Sequence, residues 1–272
     1  MTGPIHPTAL ISPRAELGRN VTVGPYCLID DDVVVGDETE LTAFVTLRPG
    51  SRIGRRCRLC EHVVIGGEPQ DHSYRGESNE VIIGDEVTLR EFVTVHRPVG
   101  EGKRTVVGSH CLLMEGVHVG HNVRVGNHVV MANKVGLSGH VVVEDHVTLG
   151  GMAGVHQFVH IGRFCMIGGL SKIVKDIPPF VLADGRPARI YGLNRVGLRR
   201  QGYKGAERER IRQIYELLYH GGLPLREALK ALAVKERDDR FAEEIVAFAA
   251  GGTRGLAPWI QCHGTSSGGG DD

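Results

Sequence analysis

Apolar residues recur at every sixth position through much of the chain. Steps of six from Ile5 to Ile173 give 29 positions, and only Asp71, Glu77 and Glu101 among them are not apolar. A period of six cannot keep one face of an α-helix, with its 3.6 residues per turn, toward a core. The pattern instead predicts short strands joined by bends, in which each apolar side chain points to the axis of a coil.

We therefore predict an all-β solenoid, a left-handed parallel β-helix in which three six-residue repeats complete each coil. Neighbouring coils are expected to lie roughly 4.8 Å apart, the spacing of hydrogen-bonded strands. The apolar pattern is lost over residues 66–80 and 98–104 and then resumes in the same phase. These two segments are predicted to be loops that leave the coil at its corners, and loops on a rigid scaffold often carry function.

The repeat ends after Ile173, because Pro178 and Pro179 cannot continue a strand ladder. Three helices are predicted beyond about residue 203, with buried faces formed by Ile211, Ile214, Tyr215 and Leu218, by Leu225, Leu229 and Leu232, and by Phe241, Ile245 and Phe248. The predicted organisation is a β-helical domain at 1–190, a C-terminal α-helical domain at 191–255 and a disordered tail at 256–272.

Composition narrows the class of protein. Lys plus Arg equals Asp plus Glu at 32 each, so the whole chain has no charge excess that would favour nucleic acid. No apolar run is long enough for a membrane span and the N-terminus lacks a signal-peptide pattern, so we expect a cytoplasmic protein. Neither a metal site nor a disulfide framework is expected. Four of the six cysteines take the interior position two residues before the repeat's apolar residue: Cys27, Cys57, Cys111 and Cys165.

The histidines fall into two groups when residue numbers are reduced to positions within an 18-residue coil. One group, on a single corner of three consecutive coils, consists of His118, His121, His140 and His156. We interpret this group as a site for proton transfer, since an ordinary histidine titrates near neutral pH. The other group forms a ladder on a different corner, interpreted as structural, and consists of His110, His128 and His146.

Five segments carry a resemblance to one family of enzymes: HRP at 96–98, VHVGHN at 117–122, LSGH at 137–140, GVHQF at 154–158 and GLNRVGLRRQGY at 192–203. With them, the chain resembles the UDP-N-acetylglucosamine 3-O-acyltransferases of lipid A synthesis over residues 1 to about 250. The resemblance implies transfer of a 3-hydroxyacyl group from acyl carrier protein to the 3-hydroxyl of UDP-N-acetylglucosamine. It also implies a homotrimer that uses no cofactor, because the phosphopantetheine arrives on the carrier protein.

The resemblance assigns roles to individual residues. His121 is implied to be the general base that deprotonates the sugar hydroxyl, and the Gly139 N–H to stabilise the tetrahedral oxyanion. Asp71 is expected to bind the sugar from a neighbouring subunit, and Gly169 to limit the depth of the acyl-chain groove. The remaining residues implied in substrate binding are Gln70, Ser73, His118, His140, His156, Gln157, Asn194 and Arg200.

The chain departs from the family pattern at four positions. Asn122 follows His121 where members often have Asp, so a carboxylate that would raise the basicity of the histidine is missing there. Ser73 stands where Lys is common, Val196 replaces an acidic residue and Gln201 replaces the second Arg of a pair. None of these changes removes the predicted base.

Local charge supports an acidic partner independently of the resemblance. Residues 186–212 contain nine basic and two acidic side chains in a chain with no net charge. This excess favours a docking surface for an acidic carrier protein, and a solvated start of a helix is the alternative. The predicted docking residues are Arg195, Arg199, Arg200 and Lys204.

Three other functions share parts of the pattern. A UDP-3-O-acylglucosamine N-acyltransferase, or another acyltransferase built from six-residue repeats, would use the same coil; the start of the repeat at Ile5 favours the O-acyltransferase. A γ-type carbonic anhydrase would bind Zn²⁺ through three histidines across a trimer interface, and a metal assay separates it from an acyltransferase. A purely structural solenoid would tolerate replacement of His121.

Overall fold

The computed structural model describes residues 4–260, which form 27 strands and four helices. The strands, in chain order, are β1 (Leu10–Ile11), β2 (Glu16–Leu17), β3 (Thr22–Val23), β4 (Leu28–Ile29), β5 (Val34–Val35), β6 (Glu40–Leu41), β7 (Thr46–Leu47), β8 (Ser51–Ile53), β9 (Arg58–Leu59), β10 (Val64–Gly67), β11 (Glu80–Ile83), β12 (Thr88–Leu89), β13 (Thr94–His96), β14 (Arg104–Val107), β15 (Leu112–Leu113), β16 (His118–Val119), β17 (Arg124–Val125), β18 (Val130–Met131), β19 (Gly136–Leu137), β20 (Val142–Val143), β21 (Thr148–Leu149), β22 (Gly154–Val155), β23 (His160–Ile161), β24 (Met166–Ile167), β25 (Lys172–Ile173), β26 (Val181–Gly185) and β27 (Ala188–Leu193).

Three sheets run side by side along the coil. The first sheet has the order β1-β4-β7-β10-β13-β16-β19-β22-β25, and the second β2-β5-β8-β11-β14-β17-β20-β23. The third sheet runs from β3 through every third strand to β24 and ends in β26 and β27. Pairing is parallel throughout except between β26 and β27. The predicted left-handed parallel β-helix with C-terminal helices is confirmed.

The interior of the coil is filled by the residues of the six-residue repeat. Each short strand ends in one of these residues, and from Val23 to Ile173 they are almost fully buried. The four cysteines assigned to the interior are also buried and unpaired. Most turns between strands contain a residue with positive φ, such as His128 at 56° and His140 at 62°. This left-handed conformation stacks the side chains of successive coils directly over one another at each corner.

Both predicted loops leave the same corner, between the first and second sheets. The first loop joins β10 to β11 and the second joins β13 to β14. They insert residues between paired strands, so 30 residues separate Ile65 from its partner Val95 and 24 separate Val95 from Val119. Elsewhere in the coil, paired positions lie 18 apart, as for Val119 and Leu137.

The C-terminal region consists of the hairpin β26–β27 and four helices: α1 (Arg195–Arg200), α2 (Gly205–His220), α3 (Leu225–Lys235) and α4 (Arg240–Gly251). The predicted faces of α2 and α4 are buried, whereas α3 buries Ala228 and Leu232 most deeply. The hairpin and α1 were not predicted. Tyr215 on α2 donates a hydrogen bond to Pro179 O at 2.7 Å, which fixes the helices against the end of the coil.

The prediction of a disordered tail from residue 256 is wrong for residues 256–260. Ala257 is completely buried, and Trp259 packs against Tyr215 and Tyr219 with ring centroids 5.5 and 5.3 Å away. The apolar residues of this segment dock into a cleft between coil and helices, because burying them removes apolar surface from water. Residues 261–272 lie outside the described range. None of the helices in residues 4–260 combines the length and apolar character that crossing a bilayer requires.

Candidate active site

A cavity of about 550 Å³ opens on the first sheet beside the corner from which both loops leave. Its floor includes Gly136 and Gly154, where an added Cβ would meet nothing within 4 Å. Its polar lining consists of Gln70, His96, His118, His121, Ser138, His156, Gln157 and Lys172. The structure therefore brings three of the four predicted site histidines to one cavity.

His121 lies at the corner of this cavity with 13% of its side chain exposed. Its Nδ1 lies 2.8 Å from Asn122 Oδ1. The orientation of the Asn122 amide is set by the second loop, because Val99 N donates to Oδ1 at 2.9 Å and Nδ2 donates to Val99 O at 3.0 Å. An oxygen facing Nδ1 requires a proton on that nitrogen, so neutral His121 carries its lone pair on Nε2.

The first loop provides a carboxylate on the Nε2 side of His121. Asp71 Oδ2 lies 3.7 Å from His121 Nε2. Hydrogen bonds from the backbone N–H and hydroxyl of Ser73, at 2.8 and 2.7 Å, lower the pKa of Asp71 below its usual value. Asp71 is therefore an anion held in place at neutral pH. The expectation that Asp71 approaches from a neighbouring subunit is wrong, because its loop leaves the same corner of the same chain and reaches His121 directly.

Gly139 lies against the imidazole ring of His121. A Cβ at this position would lie 2.3 Å from His121 Nε2, so no other residue fits without moving the ring. Within residues 4–260, the Gly139 N–H has no hydrogen-bond acceptor, and Gly139 lines the cavity. This N–H is available to an oxyanion that forms next to His121.

His96 and His118 form the less accessible side of the cavity, with their rings edge to face and their centroids 4.8 Å apart. Burial, with smaller effects from His118 and His121, lowers the pKa of His96 to about 4. Burial likewise lowers the pKa of His118, whose Nδ1 lies 2.8 Å from Thr94 Oγ1. Both rings are neutral at pH 7, and neutral imidazoles can donate or accept hydrogen bonds with a substrate.

His140 supports the site without lining the cavity. It packs edge to face against His121 at 5.1 Å and stacks on Phe158 at 4.7 Å. Burial lowers its pKa, and the nearby His121 lowers it further. Its contacts fix the plane of the His121 ring, so the prediction that His140 binds substrate has no support from its position in this chain.

At the C-terminal end of the cavity, His156 and Gln157 follow β22, and Lys172 begins β25. Lys172 occupies the position that Gly136 and Gly154 occupy in the two preceding coils. The floor of the cavity thus changes from bare backbone to a cationic side chain. His156 Nδ1 contacts Arg254 of the C-terminal segment at 2.6 Å.

Asn194 and Arg200 lie away from the cavity of their own chain. Asn194 caps α1 by accepting a hydrogen bond from Gly197 N, and its Nδ2 donates to Phe164 O at the corner between the second and third sheets. Arg200 is exposed at the end of the same helix. A single chain does not unite these two residues with His121.

The predicted docking residues are all exposed, on α1 and at the start of α2. A groove of about 380 Å³ between these helices is lined by four arginines, Arg195, Arg199, Arg208 and Arg212. Arg212 is neutralised by Glu209 and Glu216, and Arg210 by Glu236 and Asp239. The remaining positive charge faces solvent.

Gly169 lies at the corner between the third and first sheets and does not line the cavity. A Cβ there would approach Gly151 O at 3.3 Å, which is tight but leaves room beyond it. The structure places no other group of residues 4–260 within 3.4 Å of that position.

His96, Lys172 and Arg254 were missed as site residues. The coil arithmetic used a constant 18, which fails across the two loops; allowing for the 12 and 6 inserted residues (30 − 18 and 24 − 18) aligns His96 with Gly120, Ser138 and His156. Lys172 could have been found by the same register. No local signal in the sequence connects Arg254 to a coil about 100 residues away.

Metal-binding side chains were also surveyed. In the described part of the chain, the one group of three whose ligand atoms lie within 4.8 Å of one another is Cys60, Glu61 and Glu91, on another corner of the coil. The histidine nitrogens of the cavity do not form such a group within one chain.

Known proteins resemble this chain along most of its length. The family model "Udp N-acetylglucosamine O-acyltransferase; Domain 2" matches residues 176–257. An acyl-[acyl-carrier-protein]--UDP-N-acetylglucosamine O-acyltransferase of Syntrophobacter fumaroxidans is 38% identical over 254 residues, covering 93% of this chain and 98% of the relative. A protein of the same name from Thermodesulfovibrio yellowstonii is 43% identical over 227 residues, covering 83% and 88%. The solved UDP-N-acetylglucosamine acyltransferase of Francisella novicida is 32% identical and superimposes with a TM-score of 0.90, covering 94% of each chain.

Proposed function

The chain belongs to the acyl-[acyl-carrier-protein]–UDP-N-acetylglucosamine O-acyltransferase family, and we propose that its histidine-lined cavity transfers a 3-hydroxyacyl group from acyl carrier protein to the 3-hydroxyl of UDP-N-acetylglucosamine. This is the first step of lipid A biosynthesis. The observation that carries the proposal is the pairing of His121 Nε2, which holds a lone pair, with the free N–H of Gly139 beside it. The reaction uses no cofactor and takes place in the cytoplasm.

His121 acts as the general base. Its Nε2 removes the proton of the sugar hydroxyl while Nδ1 remains bonded to Asn122 Oδ1. The hydroxyl oxygen attacks the thioester carbonyl carbon, and the resulting oxyanion accepts the Gly139 N–H. Collapse of this intermediate breaks the carbon–sulfur bond, and the imidazolium returns its proton to the leaving thiolate.

Asp71 supports this cycle from the other side of Nε2. The 3.7 Å between Asp71 Oδ2 and His121 Nε2 is wider than a hydrogen bond, so a sugar hydroxyl can bind between them and contact both. The anion also favours the imidazolium formed during the reaction, by Coulomb attraction. Ser73 holds the carboxylate in this orientation, and Gln70, His118 and Gln157 supply further polar contacts for the sugar and the acyl group.

Product analysis tests the proposed activity. Purified protein is incubated with UDP-N-acetylglucosamine and a panel of 3-hydroxyacyl carrier thioesters, and mass spectrometry identifies the product and the acylated position. We expect an ester at the 3-hydroxyl. An amide product would identify the N-acyltransferase of the following step instead, and no transfer with any thioester would contradict acyl transfer.

The acyl chain is proposed to extend along the coil past Gly169. Each methylene that leaves water contributes about 0.8 kcal/mol, so an open path favours long donors. Gly169→Met should then shift the preference toward shorter chains without impairing transfer from a short donor. The assay is competition between long and short thioesters; an unchanged ratio in a folded variant would remove Gly169 from the groove.

The enzyme is proposed to act as a homotrimer in which Arg200 and Asn194 of one subunit serve the cavity of another. Because Arg200 lies away from the His121 of its own chain, mixed assemblies of Arg200→Ala and His121→Ala subunits should recover activity. Mixed Asp71→Ala and His121→Ala assemblies are the matched control and should stay inactive, since these two residues meet within one chain. Equal behaviour of the two mixtures would contradict the shared site.

The acidic carrier protein is proposed to dock on Arg195, Arg199, Arg200 and Lys204, beside the arginine-lined groove. Charge reversal at Arg199 should raise KM for the carrier thioester, with an effect that shrinks as salt screens the interaction. Reversal at Arg226, an exposed arginine on α3, serves as the control. Equal KM changes in the two variants would place the dock elsewhere.

A further inference from the structure

His156 is bonded to a residue that comes from the other end of the molecule. Arg254 Nη2 lies 2.6 Å from His156 Nδ1, across 98 residues of sequence. The only other contact recorded for this nitrogen within residues 4–260 is Gln157 O at 3.2 Å. The two neighbours make opposite demands, because a carbonyl oxygen accepts a proton from Nδ1 and a guanidinium can only donate to it.

The shorter contact decides the tautomer. A guanidinium nitrogen at 2.6 Å cannot face an Nδ1–H, since both groups would present hydrogens to each other. Nδ1 therefore carries the lone pair, and the single proton of neutral His156 is on Nε2. This is the reverse of His121, where the bond to Asn122 places the proton on Nδ1.

The backbone that carries Arg254 is held firmly. Asp176, which is completely buried, accepts Arg254 N at 3.0 Å and His160 N at 2.8 Å through its two carboxylate oxygens. The backbone of Asp176 bonds to Gly255 O and to Ala257 N. The guanidinium thus approaches His156 from a segment fixed to the same coil, and its Nε is buried with no partner in the described chain.

We propose that Arg254 is a positioning residue that holds His156 as a hydrogen-bond donor to the substrate. His156 lines the cavity and offers Nε2–H, which fits an acceptor oxygen such as a carbonyl or phosphate oxygen. Two histidines in one cavity then have opposite and fixed tasks: His121 accepts a proton and His156 donates a hydrogen bond. The substrate in this inference rests on the proposed function, whereas the tautomer does not.

Nitrogen NMR on the full-length protein tests the tautomer. With ¹⁵N-labelled histidine, and with His156→Gln to assign the signals, we expect wild-type His156 to show a protonated Nε2 and an unprotonated Nδ1. Arg254→Ala should move the proton to Nδ1, where Gln157 O accepts it. A wild-type ring protonated on Nδ1, or a tautomer unchanged by Arg254→Ala, would overturn the proposal. This readout does not depend on acyl transfer, so it remains valid if the proposed activity fails.

Kinetics test the consequence. Arg254→Ala should lower kcat/KM about ten-fold, the usual effect of one misdirected hydrogen bond. In the His156→Gln background, where the amide donates in place of Nε2–H, the same change should have almost no effect. Thr253→Ala is the matched control, since its hydroxyl makes only a 3.5 Å contact with Phe158 O, and it should keep wild-type kinetics. Losses that add in the double variant would indicate that Arg254 serves folding alone.

Discussion

The coil carries two sets of histidines that share a scaffold and differ in their neighbours. In the ladder, His110, His128 and His146 stack face to face with centroids 4.7 Å apart and planes within 6° of parallel, and Phe164 continues the stack. In the cavity, rings meet at right angles: His96 with His118 at 89°, and His121 with His140 at 90°.

The backbone explains the ladder. His110, His128 and His146 occupy corner positions with φ of 58°, 56° and 58°, so each ring lies directly above the next. Another corner builds the same kind of stack from Tyr26, Phe44, His62 and Phe92. Since phenylalanine and tyrosine replace histidine in such stacks, the stacks depend on flat rings and require no proton transfer.

The cavity histidines have specific hydrogen-bond partners instead. Nδ1 of His118 lies near Thr94 Oγ1, Nδ1 of His121 near Asn122 Oδ1, and Nδ1 of His156 near Arg254. Each partner occupies one nitrogen and leaves the other for a ligand. The comparison teaches that clustering alone does not mark a catalytic histidine. A partner that fixes the tautomer does.

The largest expected effect comes from His121→Ala. Removing the general base should lower kcat by about 10² to 10⁴ while the protein stays folded, because the ring lies at the coil surface and outside the apolar interior. His128→Ala, which removes a ring from the ladder, should leave kcat unchanged. Steady-state rates and circular dichroism of both variants make the measurement. Comparable losses in the two variants would erase the distinction between ladder and cavity.

Much of the fold follows from the period of six, because one apolar residue per side of the coil is a strict geometric demand. The corner shared by His118 and His121 could be predicted for the same reason. His96 could not be placed, since the loops at 68–79 and 97–103 shift the coil register without breaking the six-residue phase.

Contacts across the chain were beyond reach of the pattern. Asp71 lies on a loop whose path no period describes, and the resemblance led to the wrong subunit for it. The segment after Gly252 looked like a tail, because the anchor that binds it, the buried Asp176, is recognised only in three dimensions. Residue type indicated the chemistry of the site, and the tertiary structure decided which nitrogen performs it.

The next effect in size concerns the partner of His121. Asn122→Ala removes the acceptor of Nδ1–H and the anchor to Val99, so both tautomers become accessible and kcat should fall about 10- to 100-fold. Asn122→Asp keeps an oxygen for Nδ1–H and for Val99 N and loses only the donor to Val99 O. It should therefore retain more activity than the alanine variant. If Asp proves no better than Ala in kcat, orientation of the ring by this side chain is not what matters.

A smaller effect is expected in the pH dependence of stability. His96 stays neutral in the folded protein down to about pH 4, because burial lowers its pKa, whereas an unfolded histidine takes up its proton near pH 6.5. Between these values the unfolded state binds more protons, so stability falls as the pH drops from 6.5 to 4. The contribution of His96 is roughly 1 to 2 kcal/mol after allowance for its partial exposure. Denaturation midpoints of wild type and His96→Gln across this window measure it; parallel curves would contradict the neutral buried ring.

The smallest effect should come from the centre of the ladder. His128 stacks on His110 below and His146 above, so His128→Ala removes two ring contacts and should cost about 1 kcal/mol. His128→Phe keeps a flat ring at a position that Phe164 already fills further along the same stack, and it should match the stability of the wild type. Both variants keep the left-handed φ of 56°, so backbone strain cancels between them. Chemical denaturation gives the two differences. If Phe is as costly as Ala, the ladder depends on the imidazole nitrogens after all, and its histidines belong with those of the cavity.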